Sequence, residues 1–217
     1  MDDCCPRGQT RYEQVFGDRF ARALAKRYRR RGLTSPERRI VDAVVEAGID
    51  GATVLEIGGG IGELQLELLR RGGTSTTNLE LSGAYEAVAR DLAAAEGLAE
   101  RTRRIVGVDL ASDGSEVDEA DHVILHRVVC CYPNAESLLR ASAAHARRSL
   151  VFSHPPNSWP ARASTATVNL MMRLRRQEYR GFIHAPDRMY DVLRRSGLEM
   201  RSVERAGPWR VVAAVRG

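Results

Sequence analysis

The sequence predicts an α/β fold, a doubly wound parallel sheet with helices on both faces, and three observations carry that reading. A β-type segment, Thr53 to Ile57, runs into four glycines within five residues and then into an amphipathic helical pattern at Leu64, Leu66, Leu68 and Leu69. Strand-like and helix-like stretches then alternate through most of the chain, and each strand–helix–strand repeat demands a parallel pair. Three successive strands carry an acid at or near their ends, Glu56, Glu80 and Asp109. Open α/β sheets bind their ligands at that edge.

The elements follow in order. Residues 1–33 form a lead-in in which Tyr12, Phe16, Phe20 and Tyr28 recur at helical or near-helical spacing. It reads as one or two helices over the ligand edge of the sheet, with plain core packing as an equal alternative. Thr34-Ser35-Pro36-Glu37 is a helix start with Ser35 at N-cap and Pro36 at N1, and Gly48 ends that helix after Ala47. Strand 53–57, helix 62–71, strand 75–79, helix 82–96 and strand 104–108 come next. A polar loop, 111–120, precedes strand 121–126, helix 135–147 and strand 149–153. Residues 159–177 read as an inserted amphipathic helix, and 186–196 as a helix closed by Gly197. Val203 and residues 209–215 finish as an antiparallel hairpin, because too few residues separate them for a crossover. Residues 34–217 thus form one domain, with 157–185 as an insert on the acceptor side.

The glycine turn narrows the ligand. A dinucleotide fingerprint spaced G-x-G-x-x-G would place its third glycine at position 63, which is Glu63. A phosphate-cradling loop would need Lys followed by Ser or Thr, and that pair is absent. A carboxylate at the strand end, Glu56, repels a pyrophosphate but accepts hydrogen bonds from an ammonium group. Glu80 lies 18 residues past Gly62, the distance at which an acid on the second strand meets ribose hydroxyls.

Composition bounds the remainder. The 217 residues, 43% of them hydrophobic, suit a single globular domain. No apolar stretch approaches the roughly 20 residues of a membrane span, and the acidic start Met1-Asp2-Asp3 is no secretory signal, so a cytoplasmic protein without membrane insertion is expected. The net charge is +5, but Lys26 is the only lysine. Such one-sided use of arginine reads as genome composition more than as selection for phosphate contacts. The clusters at Arg29-Arg30-Arg31 and Arg173-Leu174-Arg175-Arg176 read as solvated helix faces. The four cysteines form two adjacent pairs, Cys4-Cys5 and Cys130-Cys131, a spacing foreign to common zinc sites. Cys130 and Cys131 are expected to be small buried side chains.

The pattern Glu56-x-Gly58-x-Gly60-x-Gly62, with Glu80 and Asp109, resembles class I S-adenosylmethionine (SAM)-dependent methyltransferases over roughly residues 34–217. The turn 58–62 and the lead-in 28–33 look most like the branch that acts on small molecules. The resemblance implies a Rossmann-like sheet of seven strands whose last is antiparallel, and SAM as cofactor. It also implies cofactor contacts from Glu56, Gly58, Gly60, Gly62, Glu80, Asp109 and Leu110, the last two at the adenine. The acceptor should lie near the fourth strand tip. There His126 is the catalytic candidate, with base, cofactor-edge contact and structural residue as open roles. Tyr132 and His154 are the substrate-contact candidates, under a lid formed by the insert. No metal is called for. The expected partner is a small acceptor carrying an oxygen or nitrogen nucleophile, with a homodimer as a further option. A catalytically silent SAM-binding module is the alternative. A nucleic-acid substrate is disfavoured, since the Pro155-Pro156 pair follows the fifth strand and no basic aromatic stripe accompanies it.

Overall fold

A computed structural model of the chain describes residue 12 and residues 15–217. Cys4 and Cys5 and most of the lead-in before Val15 lie outside the described residues. The elements are α1 (Asp18–Arg31), α2 (Ser35–Glu46), β1 (Thr53–Ile57), α3 (Glu63–Arg70), β2 (Ser75–Glu80), α4 (Glu86–Ala95) and β3 (Thr102–Val106). There follow α5 (Leu110–Asp113), β4 (Ala120–Leu125), α6 (Ala135–Ala144), β5 (Ala146–His154), α7 (Trp159–Leu174), α8 (Pro186–Arg195), β6 (Leu198–Ala206) and β7 (Trp209–Arg216). They build one seven-stranded sheet in the order β3-β2-β1-β4-β5-β7-β6. The pairs among β1 to β5 are parallel, and β7 runs antiparallel to both β5 and β6.

Period-two alternation sends successive strand residues into two cores. Val54, Ile124, Val151 and Val211 meet residues of α1 to α4 on one face. Leu55, Val123, Leu125, Phe152 and Val212 meet residues of α5, α6 and α8 on the other. Ala21, Ala25 and Tyr28 of α1 share the first core with Ile40 and Val44 of α2. Phe152 is fully buried, and truncating it to Ala would cost about 3–5 kcal/mol.

Four local readings change. The N-cap of α2 is Thr34 rather than Ser35. Thr34 and Glu37 close a capping box in which the Thr34 N–H donates to Glu37 Oε2 at 2.6 Å. Strand β3 ends at Val106, two residues early, because Gly107 at φ +84° turns the chain out of the sheet. Asp109 therefore stands beyond the strand as the N-cap of α5, its Oδ1 accepting from Ala111 N–H at 3.0 Å. That short helix and a 3-10 turn at Gly114–Glu116 occupy what reads in the sequence as loop. Finally, α7 packs so lightly that none of its residues is buried.

Candidate functional site

The C-terminal ends of the parallel strands open into a cavity. Glu56, Ile57 and Gly58 reach it from β1, Leu79 and Glu80 from β2, and His126 and Arg127 from the end of β4. Phe16, and Phe20 and Leu24 of α1, close it from above, with Trp209 of β7 on one side. Of the residues singled out from sequence, Glu56, Gly58, Gly60, Glu80, Asp109, Leu110, His126 and Tyr132 all line this one cavity.

Glu56 is the most unusual of them. Its side chain is buried, and among the described residues nothing donates a hydrogen bond to Oε2. Burial, reinforced by the neighbouring Glu63, pushes its carboxyl well above the ordinary range. Gly59 lies directly on that carboxyl. A Cβ there would stand 2.4 Å from Glu56 Cδ and 2.5 Å from Asn78 Nδ2, so only glycine allows the approach. Glu80 is tied to the turn, accepting from Gly60 N–H at 2.9 Å and from Ser82 N–H at 3.0 Å. Burial still raises its pKa against those two bonds. Asp109 Oδ2 accepts from the Tyr132 hydroxyl at 2.9 Å, joining the tip beyond β3 to the segment beyond β4.

Two expected contacts are not brought here. Gly62 does not line the cavity. It sits at φ +81° as the N-cap of α3, and its part is to turn the chain into that helix. His154 is also outside the cavity. Its ring is buried and both nitrogens are engaged within the fold, Nδ1 2.8 Å from Pro155 O and Nε2 2.9 Å from Tyr190 Oη. An acceptor contact from His154 would require breaking one of these bonds. The insert likewise supplies no residue to the cavity wall. It reaches the rim indirectly, through Phe182 N–H donating to Cys130 O at 2.7 Å and His184 Nε2 at 3.0 Å from Tyr132 O. Cys130 and Cys131 are half-buried and line the cavity, rather than lying in the core.

Sequence reasoning missed a polar wall built from three helices. Arg27 of α1 forks onto Glu37 of α2, with Nη1 donating to Oε2 at 3.1 Å and Nη2 to Oε1 at 2.9 Å, and Nη2 also reaches Glu63 Oε1 of α3 at 3.2 Å. Burial alone would raise the Glu37 pKa, but the Thr34 N–H and Arg27 outweigh it and hold the carboxylate low. Glu63 lacks that degree of compensation, and burial lifts it to about 7. The capping pattern Thr34-x-x-Glu37 was a visible signal for the position of Glu37. Nothing local tied it to Arg27 or Glu63.

His126 faces the same wall, its Nε2 4.0 Å from Glu37 Oε1. The buried Ser153 hydroxyl lies 2.9 Å from His126 Nδ1 and accepts from Arg127 N–H at 2.9 Å. Ser153 thus ties the ring to the backbone at Arg127 and fixes the orientation in which Nε2 faces Glu37. Burial draws the His126 pKa down to about 4, so the ring is neutral at physiological pH. Arg127 holds a left-handed backbone, φ +61°, and its guanidinium stacks 5.5 Å from the centre of the Trp209 ring.

Comparison with known proteins sets this geometry in a family. Magnesium protoporphyrin IX methyltransferase from Synechocystis PCC 6803, solved with bound SAH, is similar in structure at a TM-score of 0.68 and 18% identity, covering 94% of this chain and 100% of that one. An O-methyltransferase family protein from Burkholderia thailandensis gives 0.73 at 21% identity, covering 96% of this chain and 63% of that longer one. Geranyl diphosphate C-methyltransferase from Streptomyces coelicolor A3(2) gives 0.64 at 13% identity, covering 83% and 77%. At such identities the likeness is one of fold. No curated protein matches the sequence. The family described as "Methyltransferase domain" matches residues 18–203, most of the chain and every strand-tip acid, and on that match the chain belongs to the methyltransferase-domain family.

Proposed function

We propose that the chain transfers the methyl group of SAM to a small-molecule acceptor with an oxygen or nitrogen nucleophile. The observation that carries this reading is the buried Glu56 carboxyl, unpartnered at Oε2 beneath a glycine turn that only glycine can form. A buried carboxyl in that state calls for a cationic donor, and the ammonium of SAM is one. The residues fit the cofactor elsewhere as well. Gly58 and Gly60 line the cavity at the turn, and the Glu80 and Asp109 oxygens, each with one bond made, keep lone pairs for ribose and adenine donors.

Bound SAM supplies an electrophilic methyl on a sulfonium sulfur. The chain's own task is to orient the acceptor, exclude water and handle its proton. Phe16, Phe20 and Leu24 cover the cavity with apolar surface, which suits a small, partly apolar acceptor. His126, neutral and at the cavity wall, orients the acceptor through a ring-nitrogen hydrogen bond. Glu63, held at about 7, is the group tuned to take a proton near neutral pH. The structural neighbours named for a porphyrin and for geranyl diphosphate support a small-molecule acceptor.

Calorimetry with SAM and SAH tests the cofactor half. Binding by the wild type that Glu56→Ala abolishes is the expected result, and equal inertness of both proteins refutes the reading. Transfer from labelled SAM into a metabolite extract tests the second half. Tight cofactor binding with no labelled product would hand the reading to a silent SAM-binding module.

A further inference from the structure

Helix α7 carries an apolar stripe that faces the wrong way for packing. Trp159, Ala163, Ala166, Leu170 and Leu174 follow one another at steps of three and four, so they share one helix face. All five are exposed, Trp159 at 80% and Leu174 at 75%. The opposite face, Ala161, Thr165, Val168 and Met172, is half-buried, and on the flank Asn169 Oδ1 accepts from Gly181 N–H at 2.7 Å while its Nδ2 donates to Gly181 O at 2.9 Å. The stripe therefore faces away from the half-buried side of the helix. A contiguous exposed apolar face with a charged rim marks an interaction surface.

The charged residues of the helix and its end are all basic. Arg162 and Arg173 lie along one flank of the stripe, Arg175 and Arg176 cluster at its end, and residues 157–177 contain no acid. The helix closes with Gln177 N–H donating to Met172 O at 2.9 Å and Arg176 N–H donating to Arg173 O at 3.0 Å. That motif normally places glycine at its left-handed position. Here Arg176 occupies it at φ +57°, so the positive charge is kept at a site where glycine would be cheaper.

We propose that this face of α7 docks the protein onto the surface of an anionic lipid bilayer. The helix lies in the plane of the headgroups, with Trp159, Leu170 and Leu174 dipping between them and the arginines on the phosphates. Among the described residues no helix is long and apolar enough to cross a membrane, so the mode is lying on the bilayer and not spanning it. Charge complementarity selects this occupant. A second copy of the chain would meet the arginine rim with an α7 that has no acid to answer it.

The test is flotation of the full chain with phosphatidylcholine vesicles, with and without phosphatidylglycerol. Two triple variants accompany the wild type, Trp159→Ser/Leu170→Ser/Leu174→Ser and Arg173→Gln/Arg175→Gln/Arg176→Gln. All six side chains are exposed, and unchanged circular dichroism confirms that folding is retained. The wild type is expected to float with anionic vesicles only. Removing three arginines should weaken partitioning about a hundredfold, from about fivefold per residue, and the apolar triple should abolish flotation. Failure of the wild type to float overturns the proposal, as does flotation undiminished in the apolar triple, which would reduce it to charge attraction. A dimer in light scattering that the apolar triple disperses assigns the face to a second copy instead. Failure of this proposal leaves SAM binding, read by calorimetry, untouched.

Discussion

Replacing Glu63 by glutamine should make the protein more stable, and by an amount that depends on pH. Burial holds the Glu63 proton in the folded chain up to about pH 7, against an ordinary value of 4.5. Below 4.5 the group is protonated in both states and nothing is lost. Between 4.5 and 7 the unfolded chain releases the proton while the folded chain keeps it, so wild-type stability falls by up to about 1.4 kcal/mol per pH unit. Above 7 the loss is complete, about 3 kcal/mol for the full shift. A glutamine at this position has no proton to release, and Arg27 keeps its fork on Glu37 in the variant. Glu63→Gln should therefore match the wild type near about pH 4.5 and exceed it by about 2–3 kcal/mol at about pH 8. Urea denaturation at half-unit pH steps measures the difference directly, with m unchanged between the two proteins. A constant difference would refute the reasoning. A difference of opposite slope would show that the Arg27 ion pair, and not burial, governs this carboxyl.

Other predictions follow from the same cavity. Burial holds the Glu56 proton above the ordinary carboxyl range, and Glu56 must give it up to receive an ammonium. SAM affinity should therefore rise with pH above that range by up to about tenfold per unit; calorimetry in buffers of different ionisation heat should show proton release, and a pH-independent Kd refutes it. Gly59→Ala drives a methyl into Glu56 and Asn78. It should lower stability by about 1–3 kcal/mol and remove SAM binding, read by thermal melting with and without ligand. In a transfer assay, His126→Gln should keep the wild-type pH profile at reduced rate, whereas Glu63→Gln should lose the inflection near about 7; the reverse pattern would make His126 the base. Arg176→Gly relieves a left-handed arginine and should raise stability by about 1 kcal/mol, visible in urea.

Much of this was legible in the chain because it is written locally. A β-type run, a glycine turn and a leucine helix specify one β-α unit within about twenty residues. Repetition of that unit fixes the parallel sheet, and with it the edge where Glu56, Glu80 and Asp109 converge. What stayed hidden depends on relations that are not local. Arg27, Glu37 and Glu63 are an ion-pair wall only because three helices cross at one point. The end of β3 moved because Gly107 takes a positive φ, which a hydrophobic pattern does not announce. Serine at 35 is as good a cap as threonine at 34, and the choice was made by Glu37 reaching back to the Thr34 amide. The stripe on α7 shows the limit of periodicity most clearly. Spacing reports that apolar residues share a face, but not whether that face looks inward.

The capping box of α2 carries a consequence for how this protein can be dissected. One carboxylate, Glu37, starts a helix, anchors Arg27 and stands across from His126 Nε2. A change at Thr34, whose side chain does not line the cavity, should therefore register in a ligand titration as well as in a melting curve. Substitutions at Thr34, Arg27 and Glu63 would combine non-additively. Folding energy and ligand affinity are, at this node, two readouts of a single variable, and a lineage altering its acceptor specificity there would have to renegotiate the start of a helix at the same time.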